Sequence, residues 1–278
     1  MSAAALDEAQ LSARLAVALE AATAAGVRLL ERFEGALHIE TKSSDADLVT
    51  EADREAEAIV LDHLRAAFPE DGIVAEESGE VAAARGPCWY VDPLDGTTNF
   101  AHRIPHFSVS IGLHCLPPEG PSTLAHGLLG VVHDPCRNET FFARQGHGAW
   151  LRSPRHGERR LQVTDVDRLA QAVVCTGFGY DRINGRNLPE FARVMPRVQG
   201  IRRLGSAALD LAYVAAGRFD AYWEHALQPW DWAAGVVLVR EAGGVVQTML
   251  GARWSMHAPS VSVAGPRLLP ELQAVLGP

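Results

Sequence analysis

The segment Trp89-Tyr90-Val91-Asp92-Pro93-Leu94-Asp95-Gly96-Thr97-Thr98-Asn99-Phe100 joins an apolar strand to a helix start, with two aspartates three apart between them. The strand, residues 88–91, is expected to end at Asp92. There Pro93 fixes φ and removes a backbone donor, so the chain turns and leaves the Leu94 carbonyl free. Two carboxylates and a carbonyl can then converge on one hard cation. Gly96 lets the backbone approach a ligand, and the free amides of Thr97 and Thr98 open a helix whose positive end favours an anion such as phosphate. An Asp-Pro turn with an Asp helix cap would use one carboxylate. The second, with a Gly-Thr-Thr run behind it, points to a metal and phosphate site.

Upstream, residues 6–33 carry helical apolar spacing through Leu11, Leu15, Leu19, Leu29 and Leu30 and predict one long amphipathic helix. Thr50 reads as the N-cap of a second helix reaching residue 68, stopped by Pro69-Glu70-Asp71-Gly72. Strands are expected at 73–75, 89–91, 107–113, 124–132 and 139–144, and the Arg-, Pro- and Gly-rich residues 152–160 read as a hairpin tip. The first half is thus two helices and a mostly antiparallel sheet. From residue 171 the pattern alternates: strand 172–176, helix 188–195, strand 200–204, helix 207–216, strand 219–223 and a long helix from Trp230. That is α/β organisation. With no linker between them, the halves 1–165 and 166–278 are expected to pack over a large shared surface.

Other acids fall at informative places. Glu76 and Glu77 follow the strand at 73–75 directly, where functional groups of layered folds often project, although a solvated loop would read the same. Asp53 closes Thr50-Glu51-Ala52-Asp53, which resembles a capping box with a short acid. Asp231 stands at the mouth of a helix that is apolar on every side, so it is expected to be buried, and a buried carboxylate is costly unless paired or bound to metal. Asp53, Glu76, Asp92, Asp95, Asp231 and the Leu94 carbonyl make an all-oxygen set, which selects Mg²⁺ or Mn²⁺ over zinc. No HExxH occurs, and Pro105 prevents a helix from presenting His102 and His106 together. Five negative groups in one place call for more than one divalent ion, as in a two-metal phosphate-ester hydrolase.

The 278 residues, 47% hydrophobic and 21% charged, can bury a large core. A net charge of -9 argues against general nucleic-acid binding and against adhesion to anionic membranes. Charges scattered through the first 34 residues exclude a secretion signal, and no apolar run reaches membrane-spanning length. Cys88, Cys115, Cys136 and Cys175 are scattered without CxxC pairing and read as reduced thiols in a cytoplasm. Lys42 is the single lysine among 25 basic residues, in the polar stretch Thr41-Lys42-Ser43-Ser44-Asp45-Ala46-Asp47, where a compact ammonium could reach a crowded site.

Taken together, these residues resemble the inositol monophosphatase family within the lithium-sensitive, Mg²⁺-dependent phosphatases. Asp92 to Phe100 resembles its first motif, and Trp230-Asp231-Trp232-Ala233-Ala234-Gly235 through Glu241-Ala242-Gly243-Gly244 its second. Ala75-Glu76-Glu77-Ser78, Asp47 to Asp53 and Lys42 also fall where that family has them. The resemblance implies a layered αβαβα sandwich like that of inositol monophosphatase and fructose-1,6-bisphosphatase. It also implies a homodimer and a metal site where the two halves meet. Glu76, Asp92, the Leu94 carbonyl, Asp95 and Asp231 would hold Mg²⁺, with Mn²⁺ as a substitute. Asp53, Glu76 and Thr97 would be catalytic, Thr97 with Asp53 helping to activate the attacking water. Gly96 and Thr97 would bind phosphate, with Asp95 and Asp231 also facing the substrate. Gly205, Ser206, Ala207 and Glu224 match positions that touch the alcohol, their plainer readings being an N-cap at Ser206 and a solvated strand end at Glu224. The implied reaction is in-line attack on a phosphate monoester. Thr98, where related branches often carry Lys, tilts the expectation with Glu224 toward inositol-1-phosphate or a similar polyol phosphate. Histidinol-phosphate or fructose-1,6-bisphosphate remains the alternative substrate, and a non-catalytic assembly or sensing module the alternative class.

Overall fold

Asp7 opens the first helix, α1 (Glu8–Glu34), by accepting from the Gln10 amide while the Gln10 side chain accepts from the Asp7 amide. This computed structural model describes residues 6–35, 39–41, 48–81, 86–116, 126–179 and 187–277, so Lys42 and Asp47 lie outside the described residues. A short hairpin, β1 (Ile39–Thr41) with β2 (Leu48–Thr50), leads into α2 (Glu51–Ala67). Thr50 therefore precedes the second helix as expected. Then come β3 (Gly72–Ala75), β4 (Gly79–Val81), β5 (Gly86–Asp95), the single-turn α3 (Thr97–Ala101), β6 (Ser108–Leu116), β7 (His126–Asp134), β8 (Glu139–Arg144), β9 (Ala149–Ser153) and β10 (Gly157–Arg160). The second half runs β11 (Val173–Thr176), α4 (Leu188–Val194), β12 (Gly200–Arg202), α5 (Ala207–Ala215), β13 (Ala221–His225), α6 (Pro229–Glu241), β14 (Val245–Gln247), β15 (Ser260–Ala264) and α7 (Leu269–Leu276). Among the described residues no helix is long and apolar enough to cross a membrane.

The first sheet has eight strands in the order β10-β9-β8-β7-β6-β5-β3-β4, all neighbours antiparallel except β3 with β5. The residues read as a hairpin tip are the β9–β10 hairpin. Strand β5 departs from the expected stop at Asp92. It runs on to Asp95, pairing Asp92 with Ser110 and then, after an irregularity, Asp95 with Ser108. Pro93 has no N–H for the ladder, so the chain bulges past it and resumes instead of turning away.

Alternation along β5 and β6 sorts the layers. Trp89 and Val91, with Val109, Ile111 and Leu113, face α1 and α2 in one apolar cluster, whereas Cys88 and Tyr90 belong to a second cluster around α5 and α6. Behind α5 and α6 lies the second sheet, in the order β12-β11-β13-β15-β14, with α4 and α7 closing the far side over a third cluster. The result is helix, sheet, helix, sheet, helix. Strands β14 and β15, antiparallel to their neighbours, were missing from the sequence reading. All five residues of β15 are buried, so it shows no one-sided alternation.

Helix α6 lies unusually close to the first sheet. Gly112 and Gly130 are cross-strand partners on β6 and β7. A Cβ on Gly112 would stand 2.7 Å from the Ala233 carbonyl carbon, and one on Gly130 would overlap the Ala234 carbonyl oxygen. His114 Nε2 reaches the Ala233 carbonyl at 2.9 Å beside them. Bare backbone on the strands lets the helix axis sink toward the sheet, and this sets where Asp231, in the first turn, arrives.

Candidate active site

Where β5 ends, Gly96 takes a left-handed φ of 101°, which only glycine adopts without strain, and a Cβ there would stand 3.1 Å from the His106 carbonyl and 3.2 Å from that of Gly205. Three segments thus meet at one backbone position. Asn99 secures the junction by donating its Nδ2 to the carbonyls of His106 and Leu204, each at 2.8 Å. By helix geometry the amides of Thr97 and Thr98 have no partner within α3.

Thr97 Oγ1 stands 3.2 Å from Asp53 Oδ1 and 3.1 Å from the Leu94 carbonyl, and its single proton is shared between these acceptors. Asp53 is completely buried on α2. The capping-box reading, in which Asp53 would reach back to the Thr50 amide, lies at the start of α2, where Thr50 is described through its backbone alone. One turn later on the same helix face, buried Glu57 accepts from the amides of Glu77 and Ser78, both at 2.8 Å. That bond pair holds the turn carrying Glu76. Sequence reasoning missed Glu57. Its one signal was a spacing of four from Asp53 on a helix already tied to the site.

Asp92 Oδ1 accepts from the Leu94 amide at 3.0 Å and its carboxyl shares a hydrogen bond with Glu76. Asp95 Oδ2 accepts from Ser206 Oγ at 2.6 Å and from the Ala208 amide at 2.7 Å, so an acid of the first half caps a helix of the second. Ser206 is indeed an N-cap, to Leu209, and also the partner of Asp95. Asp231 Oδ2 accepts from the Gln228 amide at 2.7 Å and is only half-buried, less than its apolar helix suggested, because it faces a cavity. Glu224 is not the solvated strand end of the plainer reading. It is buried, takes a hydrogen bond from the Tyr222 hydroxyl, and packs so tightly on Gly177 that a Cβ there would overlap its carboxylate.

A cavity of about 510 Å³ gathers Glu76, Asp92, Leu94, Asp95, Gly96, Thr97, Gly205, Ser206, Ala207, Glu224 and Asp231 on its wall. Of the residues expected to be catalytic, to hold metal or to touch substrate, Asp53 stands behind the wall, touching it through Thr97, and neither Glu77 nor Thr98 lines the cavity. Burial first, then the carboxylates of Glu76, Asp95 and Asp231, push Asp92 well above the usual carboxylate range. Burial followed by Glu76 and Asp95 does the same to Asp231. Asp95 rises to about 6 through burial, against the pull of its bonds to Ser206 and Ala208. Burial raises Glu224 to about 7, although Tyr222 and Arg203 act to lower it.

None of Asp92, Asp95 and Asp231 forms an ion pair with a described residue, and as they stand no three His, Cys, Asp or Glu among the described residues are grouped closely enough to hold a metal ion. The hydrogen bonds given above engage Asp92 Oδ1, Asp95 Oδ2 and Asp231 Oδ2, with backbone amides and the Ser206 hydroxyl as donors, and involve no cationic side chain. Crowded, mutually repelling oxygen donors without a cationic side chain fit hard divalent cations. The donor set suits Mg²⁺ better than a thiophilic metal, since all four cysteines are free and none lines the cavity.

Residues 10–276 match the model of the inositol monophosphatase family. An inositol-1-monophosphatase of Synechocystis sp. is 46% identical over 235 residues, covering 84% of this chain and 77% of the relative. The Nus factor SuhB of Salmonella typhimurium is 39% identical over 265 residues, 94% of each chain. The solved inositol monophosphatase of Anabaena (Nostoc) sp. superposes with a TM-score of 0.83 at 38% identity, covering 96% of both chains.

Proposed function

The chain belongs to the inositol monophosphatase family and is a phosphatase, and from that premise we propose that it is a Mg²⁺-dependent phosphomonoesterase acting on inositol-1-phosphate or a similar small polyol phosphate. The observation that carries this reading is the convergence of Glu76, Asp92, Asp95 and Asp231 on one cavity with the Thr97–Asp53 pair on its wall. Glu76, Asp92, the Leu94 carbonyl, Asp95 and Asp231 would hold the cations. Bound there, divalent cations would supply the positive charge that acidifies a water and balances the departing alkoxide.

The chain's own groups do the rest. Thr97, with its proton turned to Asp53, keeps oxygen lone pairs to accept from the attacking water and aim it at phosphorus; a proton released there passes toward Asp53. The backbone at Gly96 and Thr97 presents amides to the phosphate oxygens. Glu224 and the Gly205-Ser206-Ala207 turn receive the alcohol. We take the two halves, 1–165 and 166–278, to meet at this site, and the enzyme to be a cytoplasmic homodimer inhibited by Li⁺.

Relatives named Nus factor SuhB match 94% of this chain in sequence, so an assembly role is the second reading; the complete set of acids favours catalysis. Phosphate release measured with EDTA, with Mg²⁺ restored and with Mn²⁺ tests the proposal. Activity should vanish with EDTA, return with either ion, and be higher on inositol-1-phosphate than on histidinol phosphate or fructose-1,6-bisphosphate. Full turnover without divalent metal would overturn the site; preference for another ester would overturn only the substrate.

A further inference from the structure

Asp210 belongs to none of the roles above, yet it lines the same cavity from α5 and is 1% exposed. Its Oδ1 has no hydrogen-bond partner among the described residues. Buried acceptors are normally satisfied, and leaving one unmet costs about 1–3 kcal/mol. A first-turn acid can complement a helix dipole, but this helix start is already served: Ser206 caps Leu209 and Asp95 takes the Ala208 amide. Nor is Asp210 held by a cation. Arg203, on the same wall, forms no ion pair with Asp210 or Glu224. The charges felt most by Asp210 are those of Glu224 and Asp95, both repulsive.

We propose that Asp210 is a specificity residue that accepts a hydrogen bond from a second substrate hydroxyl, beside the one received by Glu224. The inference rests on the polyol-phosphate reading and narrows it. The phosphate goes to the Gly96–Thr97 end, while two carboxylates await the far end of the alcohol. Hydroxyl donors there satisfy both, whereas a second phosphate would meet two acids. The substrate class is therefore a monophosphate of a polyol carrying at least two hydroxyls remote from the ester.

Cyclohexyl phosphate has the ring of inositol-1-phosphate without its hydroxyls, and the two esters together isolate the contact. In Mg²⁺-saturated enzyme, Asp210→Leu should cut the preference in kcat/KM for inositol-1-phosphate over cyclohexyl phosphate by about tenfold, the loss expected for one buried hydrogen bond. Its melting temperature should equal or exceed that of wild type, because an unmet buried carboxylate has been removed. Asp210→Asn, which keeps an acceptor oxygen, should retain more of the preference than Asp210→Leu. Wild-type preference in Asp210→Leu would overturn the proposal, as would equal loss on both esters with a lowered melting temperature, the mark of a structural role. If wild-type enzyme itself shows no preference for the hydroxylated ester, the polyol reading falls and this inference with it; that result is read before any variant is made.

Discussion

Glu57 shows how one side chain can serve a site it does not enter. Its two oxygens take the amides of Glu77 and Ser78, and the turn they fix delivers Glu76 to the cavity. Glu57→Ala leaves two amides unmatched, which should cost about 1–3 kcal/mol of stability. The Mg²⁺ concentration for half-maximal activity should rise at least several-fold under the proposed assignment of Glu76 as a metal ligand, since the turn that carries it has been loosened. A Mg²⁺ titration beside a melting curve checks this, and lowered stability with unchanged metal dependence would show that the turn keeps Glu76 in place unaided. The Asp92-to-Thr97 run was legible at this scale because Pro93, Gly96 and paired acids act within a few residues. Glu57 was not, since a lone Glu on an amphipathic helix looks like any solvated acid until its partners are known.

Among the elements, α6 depends most on its neighbour. Its apolar surround announced burial in the sequence, but the depth of that burial is set by glycines on β6 and β7. Gly130→Ala would press a methyl onto the Ala234 carbonyl, a backbone atom that cannot rotate aside. The helix must lift, with a cost of about 1–3 kcal/mol from overpacking, and Asp231 moves with it. Turnover should therefore fall by more than the stability loss alone explains, as measured by kcat at a temperature where the variant remains fully folded. Wild-type kcat in a folded Gly130→Ala enzyme would mean that Asp231 tolerates the shift. The same limit explains β15, whose five buried residues lack the alternation by which strands are read from sequence, while β14 is only three residues long, too short for a periodic signal.

At the level of the whole molecule the cavity is a place where like charges are stored. Asp95 is raised to about 6 and Glu224 to about 7, and Asp92, Asp210 and Asp231 are also raised. For such acids the folded state binds more protons than the unfolded one, so without metal their contribution to stability declines as pH rises from about 4 through the folded values. His106 and His133, lowered to about 4 by burial, act in the opposite sense. They stabilise above the unfolded value near 6.5, and that stability is lost as pH falls toward 4. In the proposed site Mg²⁺ would compete with protons only at the acids, so the rise in melting temperature on adding it should grow between about pH 5.5 and pH 7.5. Differential scanning calorimetry with and without Mg²⁺ cancels the histidines, which contribute to both curves. A shift independent of pH would mean that the acids do not hold the metal.

What the chain's order of residues determined alone was local chemistry: strand, glycine and helix start around two aspartates, an apolar helix behind Asp231, and enough shared motif to name a family. These follow from forces acting over one or two turns. Only tertiary structure decided that Asp95 would cap a helix 111 residues away through Ser206, that Asn99 would tie α3 to Leu204, and that Asp210 would be left facing a cavity with an oxygen unmet. The reason is physical. Such contacts exist only after two sheets and the helices between them have closed on one another, and no nearby residue carries their imprint.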